Sequence, residues 1–396
     1  MMKIIAKFCK RLKPVFAVVI SAAMILSLFS LAGCGSTESS DNVDAPEISG
    51  LTFDEKMELK YADQFSVYKY KGGYSYIEIA DSDSILVVPE GKDVPEELPE
   101  NTVVIQQPLE NIYLAATSAM SLFDAMDSLD AIKFSSVKAD GWYIDNARKA
   151  MEDGEIVFAG KYNAPDFELL TSSGCQLALE STMILHAPEI KEKLEEVGIP
   201  VIIERASYES HPLGRSEWIK LYGVLLGRED EAEEAFETEE NKVLALKDIE
   251  STGKTVVFFN INSKGTITIY KPDSYVAEMV KLAGGEYPID PGTDNSESSM
   301  PTANMTIEDF YNQAKDYDIV VYNCNIASEI HTMEEFTALN ELFADFKAVK
   351  DGNVWCTGKS MYQHTDKVGT IIEELHEIIT GEAGDGSDLE IIYKLN

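Results

Sequence analysis

The spacing of apolar residues changes along the chain. Residues 65–89 alternate apolar and polar as FSVYKY, YSYIEIA and SILVVP, with Gly72-Gly73 between the first two runs. A period of two around a Gly–Gly pair predicts a hairpin and a third strand. From about residue 100, short β-branched runs alternate with helical spacing. TVVIQ (102–106) predicts a strand. Ile112, Ala115, Ala119, Leu122, Phe123, Met126 and Leu129 recur at helical spacing, so a helix is expected over 111–129. Then follow a strand in AIKFSS, a helix over 140–153, an extended IVFAG (156–160), a short helix over 165–171 and a buried strand in CQLALES (175–181). A helix over 187–196 stops at Gly198, and the strand PVIIE follows at once.

The next two helices adjoin each other. One is expected over 216–226, ending at Gly227, and a longer one over 228–249. The long one carries a narrow stripe of Ala232, Ala235, Phe236, Val243, Leu246 and Ile249. Its first twelve residues, EDEAEEAFETEE, hold eight acids. They read as a solvated face, with acids favoured near the helix N-terminus. After Gly253 the alternation restarts. Strands are expected at 255–262, 266–270, 318–323 and 353–357, and helices at 275–282, 306–315, 333–340 and 364–380. Repeated helix–Gly–strand units indicate an α/β fold: two Rossmann-like lobes with mainly parallel central sheets, joined by a single long α-helix. The expected boundaries are a first lobe over 56–228 with a β-rich start at 60–99, an interlobe helix over 229–250 and a second lobe over 251–396.

The start of the chain has a different character. Lys3, Lys7, Lys10, Arg11 and Lys13 precede an almost wholly apolar run from Val15 to Leu31, and Leu31-Ala32-Gly33-Cys34 follows. A charged region, an apolar region and small residues predict a signal peptide over 1–33. The apolar run nears the length of a membrane span, but Leu-Ala-Gly-Cys resembles the bacterial lipobox and favours cleavage. Cys34 is then the lipidated N-terminus, and residues 34–55 read as a tether rich in Gly, Ser, Thr, Asp and Asn. The expected location is extracytoplasmic, at the outer face of the cytoplasmic membrane, with the lipid as the sole membrane contact.

Charge narrows the partners. The chain holds 33 basic and 69 acidic residues, a net charge of −36. Every acid lies after residue 33, so removing the leader leaves 28 bases against 69 acids, or −41. Such a surface repels phosphate backbones, so a nucleic-acid partner is not expected. With 45% apolar residues, disorder is not expected either. Cys9 leaves with the leader and Cys34 is lipidated, so Cys175, Cys324 and Cys356 remain. They allow at most one disulfide.

Catalytic signatures are missing: there is no G-x-S-x-G, P-loop, G-x-G-x-x-G or H-E-x-x-H. The five histidines are scattered, and none pairs at i, i+4. The loop DPGTDNSE (290–297) lacks the pattern of an EF-hand. No enzyme activity, cofactor or resident metal is therefore expected. Positional signals point instead to binding. His211-Pro212-Leu213-Gly214-Arg215 follows a strand and precedes a helix, where parallel sheets bind ligands. His211 and Arg215 there could grip an anionic ligand, although a turn residue and an ordinary ion pair would look the same. Trp142, Tyr143, Tyr162 and Tyr208 in the first lobe, with Trp355 and Tyr362 in the second, could line an amphipathic cleft.

Lipobox, two α/β lobes and one connecting helix resemble the substrate-binding lipoproteins of ABC importers for iron–siderophore, haem and cobalamin, the binding proteins with a helical backbone. The resemblance spans roughly residues 100–380. It is strongest in HPLGRSEWIKLYGVLLG, the acidic helix after it and TVVFFNI. APDFELL, MTIEDFYNQAKDYDIVVYN and NVWCTGKSMYQHTDKVG are also similar. The resemblance implies a ligand held between the lobes, small closure motions and delivery to an ABC permease. It also implies that one surface glutamate of each lobe docks on the permease, which falls on Glu168 and Glu308. The ligand is expected to be an iron–siderophore-like chelate, with haem or a corrinoid as the alternative. A surface enzyme and an adhesion lipoprotein are the readings from other classes. The segment 60–99 precedes the family's usual start.

Overall fold

The computed structural model describes residues 44–292, 300–324 and 329–396. The expected signal peptide, Cys34 and the tether up to residue 43 lie outside the described residues, as does most of the loop 290–297. Among the described residues, no helix is long and apolar enough to cross a membrane.

The first sheet is built from β1 (Phe53–Lys56), β2 (Phe65–Tyr70), β3 (Tyr74–Ile79), β4 (Ser84–Val88) and β5 (Thr102–Gln106), paired in that order. The pairs are antiparallel except β4–β5, which is parallel. Gly72 and Gly73 take φ of 93° and 88°, the left-handed backbone that the β2–β3 turn requires. Both faces of this sheet are buried. Phe65, Val67, Ile77, Ile85 and Ile105 join the main core, while Tyr68, Tyr70, Tyr76, Leu86 and Val88 form a second cluster under Ile48. Residues 45–55 fall within the stretch 34–55 expected to be a tether. They are folded instead, because Ile48 and Phe53 cover apolar rings that would otherwise face water.

The first lobe's central sheet follows. Its elements in chain order are β6 (Ile112–Leu114), α1 (Met120–Ala125), β7 (Ile132–Ser135), α2 (Asp145–Glu152), β8 (Val157–Phe158), the small hairpin β9 (Gly160–Lys161) and β10 (Ala164–Pro165), α3 (Phe167–Ser172), β11 (Leu177–Ser181), α4 (Pro188–Glu196) and β12 (Val201–Glu204). The order β12-β11-β6-β7-β8 is parallel throughout. The helix expected over 111–129 divides here. Ile112, Tyr113 and Leu114 form the middle strand, buried on both faces, and only 120–125 is α-helical. A short apolar run satisfies either period, and pairing on both sides decided for the strand.

α5 (Pro212–Leu226) and α6 (Glu229–Ala245) join the lobes, with Gly227 left-handed between them. Only Arg215 and Leu226 of α5 escape full burial. α5 packs on α1 in the first lobe and along α6. The second lobe contains β13 (Val256–Ile261), β14 (Ile267–Tyr270), α7 (Tyr275–Leu282), β15 (Thr302–Met305), α8 (Ile307–Ala314), β16 (Ile319–Asn323), α9 (Met333–Leu339), α10 (Lys347–Lys350), β17 (Val354–Thr357), α11 (Val368–Thr380) and β18 (Ile392–Lys394). Its sheet order is β15-β14-β13-β16-β17-β18: parallel at β13, β16 and β17, with antiparallel strands added on both sides. α5 also touches α7 and α11 of this lobe.

Close approach holds the helices together. A Cβ on Gly223 of α5 would lie 2.7 Å from the Ala232 Cβ of α6, and one on Gly369 of α11 would lie 2.4 Å from the Glu239 carbonyl oxygen of α6. Neither site has room for a side chain.

Carboxylates tie the first sheet to these helices. The backbone N–H groups of Lys60, Tyr61 and Ala62 donate to the Glu217 carboxylate at 2.8–2.9 Å. Those of Asp63 and Gln64, with Trp218 Nε1, donate to Glu209 at 2.8–3.1 Å. Lys60 Nζ and Tyr61 Oη reach Glu240 of α6. The segment 60–64 has no sheet partner of its own, so these buried acids satisfy its donors. Glu217→Ala should therefore lower stability by about 3 kcal/mol, since it orphans three partly buried N–H groups. Urea unfolding of the variant checks this, and Glu217→Gln should recover part of the loss.

Candidate functional site

The C-terminal ends of β6, β7, β8 and β11 share a cavity of about 450 Å³. Ala115 and Thr117 follow β6, and Ser136, Val137 and Lys138 follow β7. Phe158 ends β8, Lys161 and Tyr162 come from the β9–β10 hairpin, and Ser181 ends β11. Strand ends of a parallel sheet expose backbone and short side chains to the loops above them, which places polar groups around one opening. Gly160 shapes the hairpin. It sits at φ 86°, and a Cβ there would lie 2.4 Å from the Ala164 carbonyl oxygen. Tyr113 Oη donates to the Gly160 carbonyl at 3.1 Å and fixes the hairpin from below.

The charge of this cavity opposes that of the chain. Lys138 and Lys161 line it against one acid, Asp140, and three hydroxyls come from Thr117, Ser136 and Ser181. Lys138 Nζ lies 5.5 Å from the Phe158 ring centroid, a cation–π contact that holds the ammonium at the rim. Three other cavities are acidic. One of about 890 Å³, beside residues 45–53, has Glu47 and Glu97 and no base. One of about 500 Å³ has six acids and two lysines, and one of about 490 Å³ has five acids and four lysines. The larger openings are thus poorly suited to an anion, and they lie away from the strand ends.

A polar line crosses from one lobe to the other. Ser118 Oγ donates to Glu204 at the end of β12 (3.2 Å). Burial pushes the Glu204 carboxyl up, and the nearby Arg215 guanidinium pulls it back. Arg215 lies 4.1 Å from the Tyr275 ring centroid of α7, and its Nε has no hydrogen-bond partner among the described residues. Tyr275 and Tyr270 hydroxyls are 3.5 Å apart, and Asn323 Nδ2 donates to Tyr270 Oη at 3.3 Å. Gln363 makes a second bridge: its Oε1 accepts from Tyr143 N at 2.8 Å, and its Nε2 donates to Gly141 O and Tyr362 Oη.

The expected ligand residues therefore divide. Tyr162 lines the cavity. Tyr143 and Tyr362 meet at Gln363, half-buried at the lobe junction. Tyr208 is half-buried, with Arg205 4.5 Å above its ring and its hydroxyl 3.6 Å from Met300 Sδ. Arg215 engages the opposite lobe. His211 caps α5, with Nδ1 accepting from Leu213 N at 3.2 Å, and stacks on Tyr61 at 4.6 Å. Burial lowers the pKa of its imidazole, so at neutral pH the cap is the uncharged ring.

Trp142 and Trp355 are corrections. Trp142 is 1% exposed and donates Nε1 to Ser135 Oγ, and Trp355 is 2% exposed, packed against Gly386 and Lys394. Both are core rings and neither offers a face to a ligand. Glu168 and Glu308 are exposed in the first turns of α3 and α8, beside the caps Asp166 and Thr306. The helix dipole favours an acid there whatever else it does.

Lys138, Ser136, Ser181, Glu180 and Glu204 were not singled out from sequence. An acid inside the apolar run CQLALES was the available signal for Glu180. Its carboxyl is fully buried, neither oxygen has a hydrogen-bond partner among the described residues, and burial pushes its pKa up to about 8.

A model of the family described as "Periplasmic binding protein" matches residues 124–360. The chain belongs to that family. A lipoprotein of Methanocaldococcus jannaschii, itself uncharacterized, is 26% identical over 364 residues, covering 87% of this chain and 85% of the relative. Among solved structures, the haem-binding periplasmic protein of Vibrio cholerae is 14% identical with a TM-score of 0.54, covering 69% of this chain and 98% of that one. A petrobactin-binding protein of Bacillus subtilis is 12% identical with a TM-score of 0.53, covering 68% and 92%. A periplasmic binding protein of Veillonella parvula is 15% identical with a TM-score of 0.56, covering 80% and 98%. The periplasmic binding proteins are solute binders, not enzymes. They work with ABC permeases and bind small chelates. An extracytoplasmic location accords with the family and with the lipoprotein relative.

Glu180 should leave a signature in this binding protein. Its ordinary value is 4.5 and its folded value about 8. Between these, the folded state keeps a proton that the unfolded state has released, so stability falls as pH rises through that window. Thermal unfolding across the window should show this decline, and Glu180→Gln should flatten it. An unchanged slope would assign the pH dependence elsewhere.

Proposed function

We propose that this chain is a lipid-anchored receptor, held by Cys34 at the outer face of the cytoplasmic membrane. It captures an anionic metal chelate of the iron–siderophore kind and delivers it to an ABC permease. The observation that carries the ligand class is the cavity at the strand ends, where Lys138 and Lys161 outnumber one acid in a strongly acidic protein. A ferric chelate with carboxylate or catecholate groups presents negative oxygens to such lysines and hydroxyls, while Tyr162 and Phe158 receive its apolar edges. Tyr208, Arg215, Tyr143 and Tyr362 border the junction across which the second lobe closes.

Haem is the second reading. Its two carboxylates suit the same lysines, and the Tyr162 phenol and the Met183 thioether both line the cavity with groups that could serve as axial ligands. A panel of ferric siderophores, haem and cobalamin, read by thermal shift and calorimetry, separates the two. Lys138→Ala and Lys161→Ala should each weaken binding of the selected ligand by roughly tenfold, about 1.4 kcal/mol. Unchanged affinity in both variants would move the site elsewhere.

Glu168 and Glu308 are proposed to dock on the permease, one from each lobe. Their exposure on two separate helices supports this, since each is free to meet a basic partner. The double variant Glu168→Ala, Glu308→Ala should abolish uptake in cells and leave the dissociation constant unchanged. Normal uptake would remove both residues from the docking surface.

A further inference from the structure

Two of the three thiols in the described part of the chain lie side by side. Cys324 follows the last residue of β16, and Cys356 lies within the neighbouring strand β17. Their sulfurs are 2.8 Å apart, and both residues are fully buried. That separation is well inside ordinary non-bonded contact between sulfurs, roughly 3.6 Å, and the side chains already converge as a disulfide requires. Cys175 takes no part. It belongs to the first lobe's outer cluster, and its thiol contacts the Leu177 carbonyl.

We infer that Cys324 and Cys356 form a structural disulfide in the exported protein. The inference rests on the extracytoplasmic reading above, because thiols in such a pair oxidise outside the cytoplasm and stay reduced within it. The oxidant is a second disulfide, of a small thiol or an oxidoreductase, acting before the pair is buried. One cysteine thiolate attacks it, forming a mixed disulfide and releasing one thiolate. The other cysteine thiolate then displaces the second. The Cys324–Cys356 bond forms, the oxidant's own S–S bond breaks, and the two cysteine protons end on two released thiols. Two electrons pass from the cysteines to the oxidant.

The location gives the bond a role. Cys324 N donates to Thr357 Oγ1, which also contacts Asn323 Oδ1, and Asn323 holds Tyr270 in the line that reaches Arg215. A bond between 324 and 356 ties the ends of β16 and β17 directly behind that line. It would hold the second lobe's side of the junction rigid as the lobes move. Closing the loop between the two positions also restricts the unfolded chain.

The test uses the full chain from its host. Membranes are dissolved in denaturant with iodoacetamide and no reductant, and the protein is digested for mass spectrometry. The expected result is a linked pair of peptides holding Cys324 and Cys356, with only Cys175 alkylated. Reduction before alkylation should label all three. The intact protein should melt several degrees lower after reduction, and Cys324→Ser and Cys356→Ser should melt at that lower temperature and lose sensitivity to reductant. Three labelled thiols in exported, leader-free protein would overturn the inference. Failure of the extracytoplasmic reading looks different: the protein would sit in the cytosolic fraction with its leader peptide intact. In that case oxidative refolding with oxidised glutathione tests the pair itself, and absence of the link there would again overturn it.

Discussion

Burial of α5 is the constraint on which the rest depends. This helix touches both lobes, its partner α6 and the segment 60–64 between β1 and β2, and it surrenders nearly all of its surface. A helix buried all round has no polar face to satisfy neighbouring backbone. Glu209, just before it, and Glu217 within it do that work instead. Glu217 and Glu209 collect donors from Lys60 to Gln64, and Lys220 pairs with Glu217 and Glu233. The N-terminal sheet is therefore part of the junction between the lobes. Glycines complete the arrangement by letting α5 and α11 approach α6 without side chains between them.

The acidity of the chain accordingly has more than one physical meaning. Some carboxylates satisfy backbone amides from inside the fold: Glu217 and Glu209 at the segment 60–64, and Glu374 at the amides of Glu390, Ile391 and Ile392. Others, such as Glu229, Asp230, Glu234 and Glu237 along α6, coat a solvated face. Glu239 and Glu240, at the end of the same acidic run, depart from the solvated face expected for it and are buried against Thr370, Lys60 and Tyr61. Against both, the two lysines at the strand ends of the first lobe stand out. A weakly basic opening on a strongly acidic body attracts an anion locally while the rest of the surface discourages adventitious ones.

Much of the architecture was legible because it depends on local pattern. The helix–Gly–strand units from 187 onward, the hairpin at Gly72-Gly73 and the helix 275–282 appear where their spacing placed them. The stretch 111–129 did not, because a three-residue apolar strand and the first turn of a helix share the same residues. The ring positions were legible only as candidates. A tryptophan at or near a strand end can face a cleft or fill the layer beneath it, and Trp142, after β7, and Trp355, within β17, fill that layer. Tyr162, on a hairpin held by Gly160, reaches the opening.

The sequence by itself determined the fold class, the acidic character of the chain and the small number of thiols, since each follows from composition and short-range periodicity. Only the tertiary structure decided which acids are buried, which two cysteines meet and which lysines share an opening. Those outcomes depend on residues far apart in the chain, such as 60 with 217, 324 with 356 and 138 with 161. No local spacing encodes which distant strands and loops will pack together, and it is that packing which turns a glutamate from surface charge into a backbone partner.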